Sequence, residues 1–116
     1  MTPTQRSLKY LRDNGYRVAI VEKWNPHARI RQDLFGFIDL LAIKDLETLA
    51  IQTTSRGNML ARIKKIKESE AFPDVEKAGW QVIVHGWGKL KEGWILKEIN
   101  LNHVRSLNAE AREKAN

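Results

Sequence analysis

The sequence predicts an α/β fold in which a mixed central β-sheet is flanked by helices. Three features predict it: an amphipathic helix over residues 4–14, a nearly continuous apolar run over residues 34–43, and a second amphipathic helix over residues 58–70. An apolar run of that kind is typical of a central strand covered on both faces. The chain has 116 residues, which suits one domain. We expect that domain to span residues 1–100, with a polar tail, weakly helical or frayed, over residues 101–116.

The first helix is predicted from its spacing and its end signals. Leu8 and Leu11 face one way, while the other positions of residues 4–14 are mostly polar. Thr4 is the expected N-cap, and Gly15 is expected to end the helix.

Three strands are predicted between the two helices. Residues 16–24 include several β-branched side chains and predict a strand, whereas the polar residues 25–32 predict a loop. The apolar run over 34–43 predicts the central strand. A turn over residues 44–47 and a strand over 48–54 would complete a hairpin with it.

The second half predicts helix, strand and strand. The helix over residues 58–70 has an apolar stripe at helical spacing, formed by Met59, Leu60, Ile63 and Ile66. Pro73 interrupts this helix, and a short helix is expected to follow. Residues 80–85 and 94–99 predict two strands, and the glycine-rich residues 86–93 predict the turn between them.

Composition favours a globular domain that binds phosphate-rich partners. Hydrophobic residues make up 42% of the chain and charged residues 29%. The net charge is +6 and the pI about 9.8, which suits nucleic acid. Cysteine is absent, so disulfides and thiolate metal sites are excluded. The three histidines have no ligand spacing, so a zinc site is not expected. The opening residues do not resemble a signal peptide and no apolar stretch is long enough to span a bilayer, so we expect a cytoplasmic protein without membrane partners.

Asp39 is the most informative position, because it stands inside the apolar run. An unpaired buried charge is costly, so a cation, hydrogen-bond donors or a metal ion should compensate it. The predicted hairpin can bring Gln52 beside Asp39, and carboxylate and amide oxygens on adjacent strands suit Mg²⁺. The alternatives are an Asp39 that caps a turn or pairs with an arginine, and a Gln52 that with Thr54 forms the polar side of an edge strand.

These residues carry a family resemblance. Gly36-x-x-Asp39, a turn and then Ile51-Gln52-Thr53-Thr54 resemble the motif of the PD-(D/E)XK nuclease superfamily. Within it, the small archaeal-type and phage Holliday-junction resolvases are similar in length and element order over residues 4–100. The resemblance implies a restriction-endonuclease-like α-β-β-β-α-β core. It also implies Mg²⁺- or Mn²⁺-dependent cleavage of branched DNA in recombination, by a homodimer.

The resemblance also locates the expected site and its departures. The superfamily's acidic places correspond to Asp39 and Gln52, but Thr54 stands where a lysine is usual and Gln5 where the first helix often has a glutamate. We expect nearby carboxylates to substitute. The expected catalytic residues are Asp39, Gln52, Glu22 and Asp33, and the expected metal ligands are Asp39, Gln52 and Glu22. The alternative for Glu22 and Asp33 is a solvated carboxylate paired with Arg29 or Arg31.

Basic side chains form two clusters near that site. The expected DNA-binding residues are Arg29, Arg31, Arg56, Arg62, Lys64 and Lys65. Arg62, Lys64 or Lys65 is also a candidate for the cation missing at Thr54, whereas ordinary solvated charge is the alternative for many of the six.

Three functions therefore remain open. The first is a structure-directed DNA endonuclease, and the second is a nucleic-acid-binding protein that has the fold without the chemistry. The third is an interaction subunit whose basic face binds an acidic protein. The first two differ in whether Glu22 or Asp33 converges with Asp39, and the last two in the salt dependence of DNA binding.

Overall fold

A computed structural model describes residues 1–102, so the predicted tail lies outside the described residues except for its first two positions. The helices are α1 (Pro3–Asp13), α2 (Met59–Lys67) and α3 (Phe72–Lys77), and a 3-10 turn covers Arg56–Asn58. The strands are β1 (Arg17–Ile20), β2 (Lys23–Asn25), β3 (Ile30–Gln32), β4 (Leu40–Lys44), β5 (Glu47–Ser55), β6 (Gln81–Leu90) and β7 (Gly93–Asn100). No helix within residues 1–102 is both long and apolar enough to cross a membrane.

Five of these strands form one mixed sheet in the order β1-β4-β5-β6-β7. β5 and β6 run parallel, and the other neighbours in this sheet are antiparallel. β2 and β3 form a separate two-stranded sheet. The predicted fold class, a mixed central sheet flanked by helices, is confirmed.

Two cores lie on the two faces of the sheet, because successive side chains of a strand point to opposite sides. On one face, Leu11 of α1 packs with Leu40 and Ile51 of the sheet. On the other, Ile66 of α2 packs with Val84 and its neighbours. This three-layer arrangement puts the middle of β5 in the centre of the molecule.

The N-cap of α1 lies two residues earlier than predicted. Thr2, not Thr4, is the N-cap: its hydroxyl accepts from Gln5 N, and the Gln5 side chain accepts from Thr2 N. This capping box satisfies two backbone donors at the helix start. Gly15 follows the helix with φ of +88°, as expected of a stop residue.

The prediction of one strand over residues 16–24 followed by a loop over 25–32 was wrong. β1 ends at Ile20, and the chain then leaves the main sheet to form the β2–β3 hairpin. Asn25 closes that hairpin, because its side-chain oxygen accepts from the backbone N–H groups of His27 and Ala28.

The apolar run over 34–43 is not one strand either. Residues 34–38 form a tight loop in which Leu34 and Ile38 bridge each other, and β4 starts only at Leu40. Phe35 and Gly36 both have a positive φ, +54° and +84°. Apolar composition predicted burial correctly for Phe37 and Ile38, but the left-handed residues turn the chain back on itself.

Residues 86–93 are not a turn, because β6 continues through them to Leu90. Gly86 lies under Met59, whose side chain would overlap any Cβ at this position. Gly88 is similarly covered by Arg56. Both glycines therefore allow close approach of the 3-10 turn and α2 to the sheet rather than a change of direction.

The second helix is shorter than predicted, ending at Lys67, and its apolar stripe is narrower. Met59 and Ile66 are buried and Ile63 is half-buried, but Leu60 is 80% exposed. The predicted stripe was wrong at Leu60, because α2 turns Met59 and Ile66 toward the core and leaves Leu60 on its solvent side.

A buried hydrogen-bond chain fastens α1 to β6 and β7. Trp87 Nε1 donates to Ser7 Oγ at 2.9 Å, and Ser7 Oγ contacts His85 Nδ1 at 2.8 Å. His85 Nε2 lies 3.3 Å from a carboxylate oxygen of Glu98, and Tyr10 donates to the other oxygen at 2.9 Å. Ser7 and His85 are both fully buried, and each of their side-chain polar atoms has a hydrogen-bond partner in this chain.

Replacing Ser7 by Ala is expected to lower the free energy of unfolding by about 2 kcal/mol, because it orphans His85 Nδ1 and Trp87 Nε1 in the interior. Chemical denaturation followed by circular dichroism measures this change. Ser55→Ala is the matched control, since Ser55 is exposed and its side chain caps no helix. Equal stability of the two variants would contradict a stabilising role for the chain.

Candidate functional site

Asp39 stands where the loop ends and β4 begins. Its backbone N–H donates to Ile51 O at 2.8 Å, and the register pairs Leu40 with Ile51. Asp39 is therefore beside Gln52 on the neighbouring strand, as the hairpin predicted. Only 4% of Asp39 and 2% of Gln52 is exposed.

One carboxylate oxygen of Asp39 accepts three hydrogen bonds. Gln52 Nε2 donates to Oδ2 at 2.6 Å, Thr53 N at 2.8 Å and Thr53 Oγ1 at 3.1 Å. Thr53 Oγ1 also lies 2.8 Å from Thr4 Oγ1, which connects the site to the start of α1. Sequence reasoning missed Thr53, because strand alternation places its side chain on the face opposite Gln52. Asp39 lies just before β4, and its carboxylate contacts the side chains of both Gln52 and Thr53, which lie on opposite faces of β5.

Glu22, Asp33 and Asp39 converge. Each offers a carboxylate oxygen, and the three oxygens lie within 4.8 Å of one another. Glu22 comes directly before β2 and Asp33 directly after β3, and the 34–38 loop returns the chain from Asp33 to Asp39. All three carboxylates predicted for the site are therefore together, and they could hold a metal ion.

Burial and mutual repulsion disfavour ionisation of this cluster. The pKa of Asp33 is raised to about 6, first by burial and then by a hydrogen bond with Asp39 and repulsion from its charge. Burial also raises the pKa of Asp39, against the hydrogen bond from Thr53 N, while the charge of Glu22 raises it further. Carboxyl groups perturbed in this way are typical of sites that receive a cation.

Gln52 leaves one buried atom without a partner. Its Nε2 donates to Asp39, but its Oε1 is the one buried side-chain polar atom within residues 1–102 that forms no hydrogen bond. An orphaned buried acceptor costs free energy unless something pairs with it. Three carboxylates and a free amide oxygen form an all-oxygen donor set, and such a set fits a hard divalent cation.

Cations line the same cleft of about 450 Å³. Arg62 and Lys65, three residues apart on α2, both lower the pKa of Asp33 by their charge. Arg31 also lines the cleft, and its Nη1 lies 3.4 Å from Glu22 Oε1. The ion pair predicted as an alternative for Glu22 is thus present alongside the cluster. With 68% of the Arg31 side chain exposed, it is a weak interaction.

The remaining predicted basic residues do not line this cleft. Arg29 is exposed in the turn of the β2–β3 hairpin, and Arg56 covers Gly88 beside β6. Lys64 is exposed on α2 but does not line the cleft. The two residues that depart from the superfamily motif lie in different places. Thr54 is buried and lines the cleft, whereas Gln5 is exposed and takes part in the cap of α1.

A larger depression of about 600 Å³ lies at the opposite end of β4. Arg12, Arg17 and Lys44 line it together with Asp45. Lys44 already donates to the Asn14 carbonyl oxygen and lies over the Tyr16 ring. The carboxylate cluster lies in the cleft of about 450 Å³, and no second cluster of this kind is found within residues 1–102. We therefore take the smaller cleft as the candidate site.

Replacing Asp33 by Asn is expected to raise the free energy of unfolding at pH 8 by about 1 kcal/mol, allowing for partial solvent screening. The folded-state pKa of about 6 lies above the ordinary 3.8, so ionisation between these values costs stability as pH rises. Below pH 4 this cost is absent. Thermal unfolding at pH 8 and pH 3.5 should show the gain at pH 8 and little gain at pH 3.5.

Asp45→Asn changes the net charge equally at an exposed turn and is the control for this experiment. A loss of stability in Asp33→Asn of the same size at both pH values would show that Asp33 is structural.

Comparison with known proteins finds no matching family model, no matching curated protein and no matching solved structure. The resemblance to the PD-(D/E)XK superfamily therefore stays a prediction. It rests on Gly36, Asp39 and residues 51–54 together with the element order.

Proposed function

We propose that this protein is a metal-dependent endonuclease that hydrolyses phosphodiester bonds in branched DNA, as the resemblance to Holliday-junction resolvases implies. One observation carries the proposal. Asp33, Asp39 and Glu22 share a cleft with Gln52 and with two cations of α2, Arg62 and Lys65. Nuclease chemistry needs both parts: oxygen ligands for a divalent ion and positive charge for the phosphate.

The ligands in this proposal are Asp39, Asp33, Glu22 and the Oε1 atom of Gln52. Mg²⁺ or Mn²⁺ held there would polarise a phosphodiester and lower the pKa of water. Thr53 keeps Asp39 in position, because its N–H and hydroxyl both bind the same carboxylate oxygen. The predicted ligand set of Asp39, Gln52 and Glu22 is thereby extended by Asp33.

Arg62 and Lys65 take the part that a lysine usually plays in the superfamily motif. Thr54 cannot carry positive charge, but the two α2 side chains reach the same cleft from the following helix. They bind the phosphate oxygens and offset the negative charge that develops during hydrolysis. A four-way junction is two-fold symmetric and needs paired cuts, so this function implies a homodimer.

A nucleic-acid-binding protein without catalysis is the second candidate. Thr54 at the usual lysine position favours it, as does the absence of a carboxylate from Gln5, which caps α1 instead. In this case the cations of the cleft bind phosphate, and the carboxylates hold a structural ion or share a proton.

Asp39→Asn is expected to reduce Mg²⁺-dependent cleavage of a labelled four-way junction by at least about 1,000-fold. Asn keeps the shape of the side chain, so thermal unfolding should show that the variant is folded. Linear duplex, single strand and reactions with EDTA complete the assay, and Asp45→Asn is the charge-matched control. Salt-sensitive binding without cutting by the wild type would establish the second candidate instead.

Lys65→Ala and Arg62→Ala are each expected to lower the single-turnover cleavage rate by about 100-fold, because each removes positive charge from the phosphate site. Lys64→Ala is the matched control: it removes the same charge from the same helix, outside the cleft. Equal losses in Lys64→Ala and Lys65→Ala would reduce the role of α2 to general attraction of DNA.

A further inference from the structure

The β2–β3 hairpin is an arm that projects from the domain beside the cleft. Among the helices and strands of residues 1–102, β2 and β3 make extensive contact only with each other. The arm is bracketed by two carboxylates of the cluster, since Glu22 directly precedes β2 and Asp33 directly follows β3. Whatever binds the arm is therefore bound next to the candidate site.

One face of the arm combines an aromatic ring with positive charge. Trp24 pairs with Arg31 across the two strands, so both side chains lie on the same face. Side chains alternate between the two faces of a strand, so Glu22, just before β2, and Asp33, just after β3, are expected on that face too. The contact between Arg31 and Glu22 agrees with this placement. Half of Trp24 is exposed, at 53%.

Trp24 is the most exposed of the four tryptophans. The two tryptophans of the five-stranded sheet contact polar or charged side chains: Trp87 Nε1 donates to Ser7, and Arg6 lies 3.9 Å above the centre of the Trp94 ring. The indole of Trp24 is half in water, Lys23 is its neighbour on β2, and Arg31 lies opposite it on β3. This combination suits the flat face of a nucleic-acid base with phosphates on either side.

We propose that the arm binds nucleotides whose bases have a free face, in single strands or at branch points, and that Trp24 stacks on such a base next to the phosphate in the cleft. The inference rests on the proposed function and narrows its substrate to DNA with single-stranded or branched segments. Trp24 is two residues from Glu22, about 7 Å along the strand, so the stacked base belongs to a nucleotide close to that phosphate. Bases inside a duplex do not present a free face, so continuous duplex gains nothing from Trp24.

The test measures binding without metal, so it does not depend on cleavage. Fluorescence anisotropy with EDTA present compares labelled oligothymidylate, a four-way junction and a linear duplex. Trp24→Ala is expected to weaken binding of the first two about 10-fold and to leave duplex binding within about two-fold. Trp24→Phe should retain most of the affinity, because it keeps an aromatic face.

Ile30→Ala is the matched control, because Ile30 is 51% exposed on the other face of the same arm. Unchanged oligothymidylate binding in Trp24→Ala, an equal loss in Ile30→Ala, or no binding of DNA by the wild type would each overturn the inference. The cleavage assay of Asp39→Asn tests the proposed nuclease separately. Cleavage without Trp24-dependent binding would overturn only the inference about the arm, and Trp24-dependent binding without cleavage would overturn only the proposed nuclease.

Discussion

The hydrogen bonds to Asp39 Oδ2 hold the site together. The N–H of Thr53 donates from the backbone of β5, so the carboxylate is fixed to the centre of the sheet rather than to a mobile side chain. The Asp39 N–H continues the ladder to Ile51, and Gln52 and Thr53 close around the side chain from both faces of β5. A buried carboxylate with this many donors keeps one geometry, and Glu22 and Asp33 are arranged around it.

The arrangement is poor for stability in isolation. Two carboxyl groups have raised pKa values, and a glutamine oxygen is buried without a partner. Each of these features lowers the free energy of unfolding. A divalent cation bound by the same atoms would offset that cost. Local sites that cost stability while the rest of the core is well satisfied are typical of function. The Ser7–His85 chain shows the contrast, because there every buried polar atom has its partner.

The sequence predicts the parts of the site that depend on strand register and misses those that depend on backbone conformation. Asp39 and Gln52 were predicted to be neighbours because a short turn determines which residues of a hairpin face each other. The return of Asp33 depends on Phe35 in a left-handed conformation, which its residue type does not favour. Gly86 was misread for a related reason: its role is contact with α2, and no local pattern records that contact.

The unpredicted hairpin places two of the three carboxylates at the ends of one structural unit. If residues 25–32 were a loop, Glu22 and Asp33 would belong to separate segments, whereas the pairing of β2 with β3 brings the two ends of the hairpin together. Under the proposed function, a nucleotide bound to the arm would lie beside both of these carboxylates, while Asp39 is anchored to β5. The charge of the arm points the same way. Arg31 contacts Glu22 only weakly, so under the proposed function a phosphate that draws Arg31 away would leave that carboxylate for a cation.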